Sequence, residues 1–274
     1  MKLLTLLNVS LPVRAMRANW NILRMTAERY VRAKYKGSTL GLLWTFIQPL
    51  MMLCVYAFVF GVVFHSRWAG AAEGSRLSFV VIMFFGMTLY SIFSECVSAC
   101  CLEVTGHPNF VKKVVFPLEV LPVARLLTTL SLNLPWFLLL FLGAVFFLGT
   151  LSPTMLLLPL VLLPLLQLTL GVSYFVASLG VYVRDTQHAV VIVLRILWFL
   201  TPIFYPVTAV PERFRPVLEA NPLTIIVEQG RRVFLYGQWP EWIPLLVVMS
   251  ISALVLQLGF IWFCRTKEGF ADVL

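Results

Sequence analysis

Residues 126–183 read LLTTLSLNLPWFLLLFLGAVFFLGTLSPTMLLLPLVLLPLLQLTLGVSYFVASLGVYV, with no Asp, Glu, Lys, Arg or His between Leu126 and Val183. A helix needs about 20 apolar residues to cross the hydrocarbon core of a bilayer, so this run is long enough for two crossings. Gly149-Thr150-Leu151-Ser152-Pro153 is a turn signal that divides it into a helical hairpin. Pro135, Pro159 and Pro164 fall inside the spans, where neighbouring helices can satisfy the carbonyls that proline frees.

The remainder of the chain carries the same signature. Hydrophobic residues make up 60% of the 274 positions and charged residues 12%, against about 45–50% and about 25% in soluble domains. Too few polar residues remain to cover a soluble surface. Six stretches qualify as spans: about 40–64, 77–100, 119–148, 154–183, 187–207 and 243–264. The fold class expected is all-α, a single polytopic membrane domain. The Leu-rich start after Lys2 is broken by Asn8, Ser10 and Pro12, too weak for a signal peptide, so no cleavage is expected.

Orientation follows from the basic residues. Lys2, Arg14, Arg17, Arg24, Arg29, Arg32, Lys34 and Lys36 precede the first span; Lys112, Lys113, Arg125, Arg184, Arg265 and Lys267 fall on the same side. The other side holds Arg67, Arg76, Arg213, Arg215, Arg231 and Arg232. The richer side is cytoplasmic, which puts both termini there. This topology accounts for the net charge of +9 without a nucleic-acid partner.

Two segments between spans are not plain loops. Residues 15–35 set Met16, Trp20, Leu23, Ala27, Tyr30 and Val31 near one helical face, with Arg17, Asn21, Arg24, Glu28 and Arg32 opposite. A basic amphipathic helix of this kind lies in the headgroup plane, or packs as a solvated helix on another protein. Segment 208–242 is too polar to span but has apolar stretches, Leu223 to Val227 and Phe234 to Tyr236. Pro211 and Pro222 read as helix-start prolines. Two short helices re-entering the outer leaflet fit this pattern; an extracytoplasmic loop is the alternative.

The sequence contains no phosphate-cradling G-x-x-x-x-G-K-[ST] loop, no HExxH and no G-x-S-x-G. His65, His107 and His188 are scattered, so an enzyme is disfavoured. Cys54 and Cys264 are isolated, while Cys96, Cys100 and Cys101 lie close together. That group is read as small residues packing a membrane helix, or as a soft-metal or redox cluster; no metal is expected.

Four motifs carry a family resemblance. The first is Arg29-Tyr-Val-Arg32-Ala-Lys-Tyr35-Lys36-Gly37-Ser38-Thr-Leu40-Gly41-Leu-Leu-Trp44, followed by Pro49. The second is Asn109-Phe-Val-Lys112-Lys113-Val-Val-Phe116-Pro117-Leu-Glu119-Val-Leu-Pro122. The third joins Tyr182-Val-Arg184-Asp185 to Thr201-Pro202-Ile-Phe204-Tyr205-Pro206, and the fourth is Asn221-Pro222. Together they resemble the bacterial polysaccharide ABC exporter permeases, the family of the O-antigen exporter membrane subunit Wzm and its capsule and teichoic acid relatives.

The resemblance implies half a transporter in the bacterial inner membrane. Two copies of the chain would form a channel for a lipid-linked glycan, such as undecaprenyl-pyrophosphate-linked O-antigen, amid membrane lipids. Two copies of a separate ATPase would bind beneath it and hold the ATP and Mg, so that this chain binds no cofactor. Capsule or teichoic acid cargo is the alternative, and an enzyme acting on polyprenyl-phosphate-linked sugars is the competing class. Residues 103–117 would dock the ATPase, through Glu103, His107, Asn109, Lys112 and Lys113 with Phe110 as anchor; the alternative is a solvated loop.

Spans one, two and five would line the pathway, with Trp44, Tyr56, Tyr90, Trp198 and Tyr205 as stacking candidates for sugar rings, or as packing residues and anchors. Arg195 in the fifth span and Glu95 near the end of the second are charges in costly positions. Arg195 would meet a pyrophosphate, pair with Glu95 of either copy, or snorkel. Trp20, Arg24, Arg29 and Arg32 mark the interface helix, and Trp68, Trp239 and Trp242 are expected in the aromatic belts. Arg184-Asp185 is read as a short turn, with Asp185 capping the fifth helix.

Overall fold

The computed structural model describes residues 16–63, 76–112, 116–149 and 152–274. Lys113, Trp68 and the start of the chain, on which expectations also fell, lie outside the described residues. Among the described residues there are helices and no strand. In chain order these are α1 (Trp20–Lys34), α2 (Trp44–Tyr56), α3 (Arg76–Cys100), α4 (Pro108–Lys112), α5 (Val120–Gly143), α6 (Leu158–Tyr182), α7 (Thr186–Leu200), α8 (Arg215–Glu219), α9 (Pro222–Phe234), α10 (Trp242–Thr266) and α11 (Phe270–Val273). Both α2 and α5 widen into π-helical turns, through Val63 and Leu148. Gly149 then turns at φ +62°, the left-handed region open to glycine.

Five apolar stretches are long enough to cross a membrane: Gly41–Val63, Ser78–Cys100, Val120–Leu148, Pro153–Tyr182 and Trp242–Val273. The chain is a multi-pass membrane protein. The stretch expected at 187–207 departs from this pattern, because α7 stops at Leu200. Fifteen residues reach about 22 Å, short of a hydrocarbon core of about 30 Å. The stop has a local cause. Pro202 disfavours helical backbone at Thr201, which is extended at φ −93°, ψ 132°, and the Thr201 hydroxyl donates back to Leu197 O at 2.8 Å.

The centre of the bundle is α3, with Ile82, Met83, Phe84, Phe85, Leu89 and Ile92 buried within it. It packs against α5 and α6, and α6 in turn lies along α10. That last pairing depends on two glycines. A Cβ on Gly259 would come within 2.1 Å of Gly171 O, and one on Gly171 within 2.6 Å of the Leu256 nitrogen. Backbone-to-backbone approach of this kind is how membrane helices associate without a hydrophobic drive. Pro164 and Pro135 sit inside α6 and α5, whereas Pro159 falls in the first turn of α6, where its missing N–H costs nothing.

The first helix buries Leu23, Thr26, Ala27 and Tyr30, mostly against α5. Its buried arc is rotated toward Thr26 relative to the expected face. Trp20 is therefore 55% exposed, and Met16 and Val31 are only half-buried. Trp20, Arg24, Arg32 and Leu42 line a groove of about 480 Å³ between α1, the start of α2 and α5.

The polar segment after α7 contains both expected short helices. Asn221 accepts from the Leu223 N–H at 3.0 Å and Pro222 occupies the first turn of α9. Pro211 instead precedes a single 3-10 turn, Glu212–Phe214. Trp239 and Trp242 are exposed.

Candidate functional site: a carboxylate junction and an aromatic wall

After α3 the chain turns through residues 101–106 and enters α4. The turn places Glu103 inside, 1% exposed. A buried carboxylate must be paired, and three elements supply the partners. Tyr30 of α1 donates its hydroxyl to one oxygen, Arg125 of α5 donates Nε to the other, and His107 Nδ1 lies 3.7 Å away. The Arg125 guanidinium also lies 4.0 Å from the centre of the Tyr30 ring. Burial, and after it the charge of Glu103, pushes the Tyr30 hydroxyl up, so it stays a donor.

An aromatic stack continues from this junction to the surface. His107 stacks on Phe110 at 5.3 Å, Phe110 stacks on Phe116 at 4.5 Å, and Arg29 lies 5.4 Å from the Phe110 ring. Of the expected docking residues, Asn109 and Lys112 are exposed and His107 and Phe110 half-buried. Glu103 is turned inward and presents no charge outward; it ties the loop to α1 and α5. Glu119 of the same motif pairs with Lys267 at 3.1 Å and Tyr182 donates to Thr266 O at 2.8 Å, anchoring the end of α10 at this level.

The second assembly lies along α3, α7 and the break after it. The edge of Trp198 meets the Tyr90 ring at 4.9 Å, and Phe204 meets Trp198 at 5.5 Å. On its other side Phe204 faces Phe60 at 5.8 Å and Tyr56 at 6.4 Å. Tyr90 donates its hydroxyl to Leu194 O. Three of the expected pathway aromatics, Tyr56, Tyr90 and Trp198, thus meet through Phe204. Sequence reasoning had Phe204 only as part of a motif; its place two residues after Pro202, beyond a helix end, was the available signal.

The other candidates lie apart from this wall. Trp44 donates Nε1 to Ser38 Oγ at 3.1 Å near the start of α2, and Tyr205 donates to Phe199 O at 2.6 Å. Arg195 is exposed on α7 and makes no ion pair among the described residues. Within this chain Glu95 pairs with Lys34 at 3.4 Å, not with Arg195. Asp185 stands at the N-cap position of α7 but its side chain makes no cap bond. Cys96, Cys100 and Cys101 are buried free thiols, with Cys96 Sγ 3.6 Å from Ser173 Oγ.

One residue was missed as more than a basic count. Arg231 of α9 is the largest side chain in the core and is fully buried. Its Nη1 donates to Pro202 O and Glu228 Oε1, both at 2.7 Å, and its Nη2 to Ile203 O at 3.1 Å. The sequence signal was the Glu228-x-x-Arg231 spacing, one turn apart on a helix.

Outward of these assemblies, α2 and α7 present wide apolar faces, including Leu50, Met51, Val55 and Phe58 on α2 and Ile192, Ile196 and Phe199 on α7. Glu103 and Arg231 lie inward, whereas Arg195 is exposed among the apolar residues of α7; these faces are left for lipid or protein.

Comparison with known proteins bears on this arrangement. The O-antigen export system permease protein RfbA of Myxococcus xanthus is 31% identical over 252 residues, covering 89% of this chain and 92% of its own length. A protein of the same name from Klebsiella pneumoniae is 24% identical over 260 residues, covering 93% and 95%. The polysialic acid transport protein KpsM of Escherichia coli is 24% identical over 259 residues, covering 92% and 97%. The first two are export permeases by name and the third is a transport protein. The family profile for the ABC-2 type transporter matches residues 23–235, a stretch that contains both the Glu103 junction and the Arg231 clamp. The chain is a member of the ABC-2 type transporter family.

Proposed function

We propose that two copies of this chain form the conduit of an ATP-driven exporter that moves a lipid-linked polysaccharide across the bacterial inner membrane. O-antigen on undecaprenyl pyrophosphate is the cargo favoured by the relatives from Myxococcus and Klebsiella. The similarity to a polysialic acid transport protein makes a capsule-type glycan the second reading. ATP and Mg belong to two copies of a separate ATPase, and this chain binds no cofactor of its own.

The observation that carries the mechanism is the Glu103 junction. The carboxylate joins α1, the loop holding α4, and α5 through charge-assisted bonds in a buried place. Breaking such a pair costs roughly 3–5 kcal/mol. A push on α4 by a closing ATPase therefore moves α1 and α5 with it instead of being absorbed in the loop. His107, Asn109, Phe110, Lys112 and Lys113 form the contact with the ATPase, and Trp20, Arg24, Arg29 and Arg32 rest α1 on lipid headgroups.

Both termini are cytoplasmic. The sixth crossing is made by α7 together with its break, while α8 and α9 re-enter from the far side. The exposed faces of α2 and α7 meet their copies or lipid, and the Tyr56–Tyr90–Trp198–Phe204 wall, with Trp44 and Tyr205, borders the glycan path. Arg195 contacts the pyrophosphate, so Arg195→Lys loses export while the protein persists in the membrane; normal export would remove that role.

Purification with the ATPase, together with loss of surface polysaccharide on deletion of this chain and its recovery on re-expression, tests the whole reading. A chain that purifies alone and transfers or hydrolyses a polyprenyl-linked sugar would overturn it.

A further inference from the structure

The break after α7 lies deep. Its Ile203 Cα would sit 3.5 Å from a Cβ on Gly86, and Gly86 is ten residues along α3 from Arg76, about 15 Å of helix. The whole of α3 spans about 37 Å, so irregular backbone occurs near the middle of the bundle. At that depth irregular backbone must be buried in protein or satisfied, because unserved carbonyls are not tolerated in contact with hydrocarbon. Thr201 and Ile203 are fully buried. The acceptors freed by the break are served by Arg231, whose planar fork reaches two successive carbonyls while Glu228 balances its charge. Room for the fork comes from Gly86, where a Cβ would stand 3.0 Å from Arg231 Nη2.

We propose that Arg231 is a positioning residue: it clamps the mid-bundle break of α7 onto α9 and α3, and so holds Phe204 in the aromatic wall. The wall and α9 then move as one body when α7 is displaced. The consequence for transport rests on the exporter reading above; the clamp itself does not. Lysine keeps the charge, but its compact ammonium lacks the planar fork that spans the Pro202 and Ile203 carbonyls together with Glu228, so Arg231→Lys weakens the clamp.

Two readouts separate the clamp from the function. With the purified chain in lipid nanodiscs, hydrogen exchange at the Thr201, Ile203, Phe204 and Tyr205 amides is expected to accelerate about tenfold in R231K, the equivalent of one lost charged hydrogen bond. Exchange over α6 and α10 should be unchanged, and the neighbouring variant R232K should resemble the parent. In cells, R231K at equal membrane level should lose about tenfold in export while the ATPase still assembles and hydrolyses ATP. If R231K fails to accumulate, G86A decides: the added methyl crowds Nη2 and should accelerate exchange at the same four amides. Unchanged exchange there, uniform acceleration along the chain, or an equal effect of R232K overturns the clamp. Faster local exchange in a chain that exports no glycan supports the clamp and fails the exporter reading alone.

Discussion

The Glu103 junction and the Arg231 clamp both bury a charge, and they do so in opposite ways. Glu103 is met by Tyr30 of α1 and Arg125 of α5, with His107 of its own turn beside it. Arg231 is met mainly by main-chain carbonyls of one irregular stretch, with a neighbour one turn away on its own helix as counter-ion. The first arrangement ties together elements that are distant in sequence, so it is suited to passing on a displacement. The second repairs a helix that proline has stopped, so it is suited to holding a shape. Partner chemistry, more than the presence of a buried charge, separates a link from a brace.

The contrast can be broken most sharply at Glu103. Glu103→Leu leaves Arg125 unpaired beside a buried site and should destabilise the protein by roughly 3–5 kcal/mol, visible as a lower unfolding temperature in detergent and as reduced membrane level. Arg231→Met leaves two carbonyls unserved and should cost about 3 kcal/mol, with the loss confined to the region between α7 and α9 in limited proteolysis. Equal, global losses from both variants would erase the distinction between link and brace.

Tyr30→Phe keeps the ring under Arg125 and removes one bond to the carboxylate, at about 2 kcal/mol. Its pH dependence has a definite sign. The Tyr30 hydroxyl titrates higher when folded than when unfolded, so its contribution is complete below about pH 10, the unfolded value. It is lost as pH rises beyond that toward the folded value. The stability gap between parent and Tyr30→Phe should therefore be flat from pH 6 to pH 9, on the order of the same 2 kcal/mol, and narrow only in stronger alkali. The smallest effect is expected of Lys34→Ala. The Lys34–Glu95 pair is about 40% exposed at each partner, so its loss should cost under about 1 kcal/mol and vanish in high salt.

Much of the fold was legible because apolar length is a one-dimensional property. The hairpin from Leu126 to Val183, the amphipathic first helix and α9 with its Asn221-Pro222 start follow from spacing and turn residues alone. The fifth expected span was drawn too long because hydropathy does not register that Pro202 stops a helix while apolar residues continue after it. Periodicity puts Trp20 on one apolar face of α1 with Leu23, Ala27 and Tyr30, yet only α5 determines which arc of that face is covered. For the site, Tyr56, Tyr90 and Trp198 could be chosen as aromatics on particular spans. That they meet, and that Phe204 joins them, depends on how far α7 runs before it breaks.

The sequence by itself determined that this chain lies in a membrane, which residues can span it, which end carries the basic charge, and which motifs belong together. Each of these depends on transfer of side chains from water to lipid, and that is set by composition along the chain. Only the tertiary structure decided the direction of the charges. Glu103 reads in sequence as one more polar residue of a loop, and Arg231 as one more basic residue on the far side. Both are buried because partners from distant segments, or carbonyls freed by a distant proline, offset the cost of removing them from water. That compensation exists only when the segments are brought together.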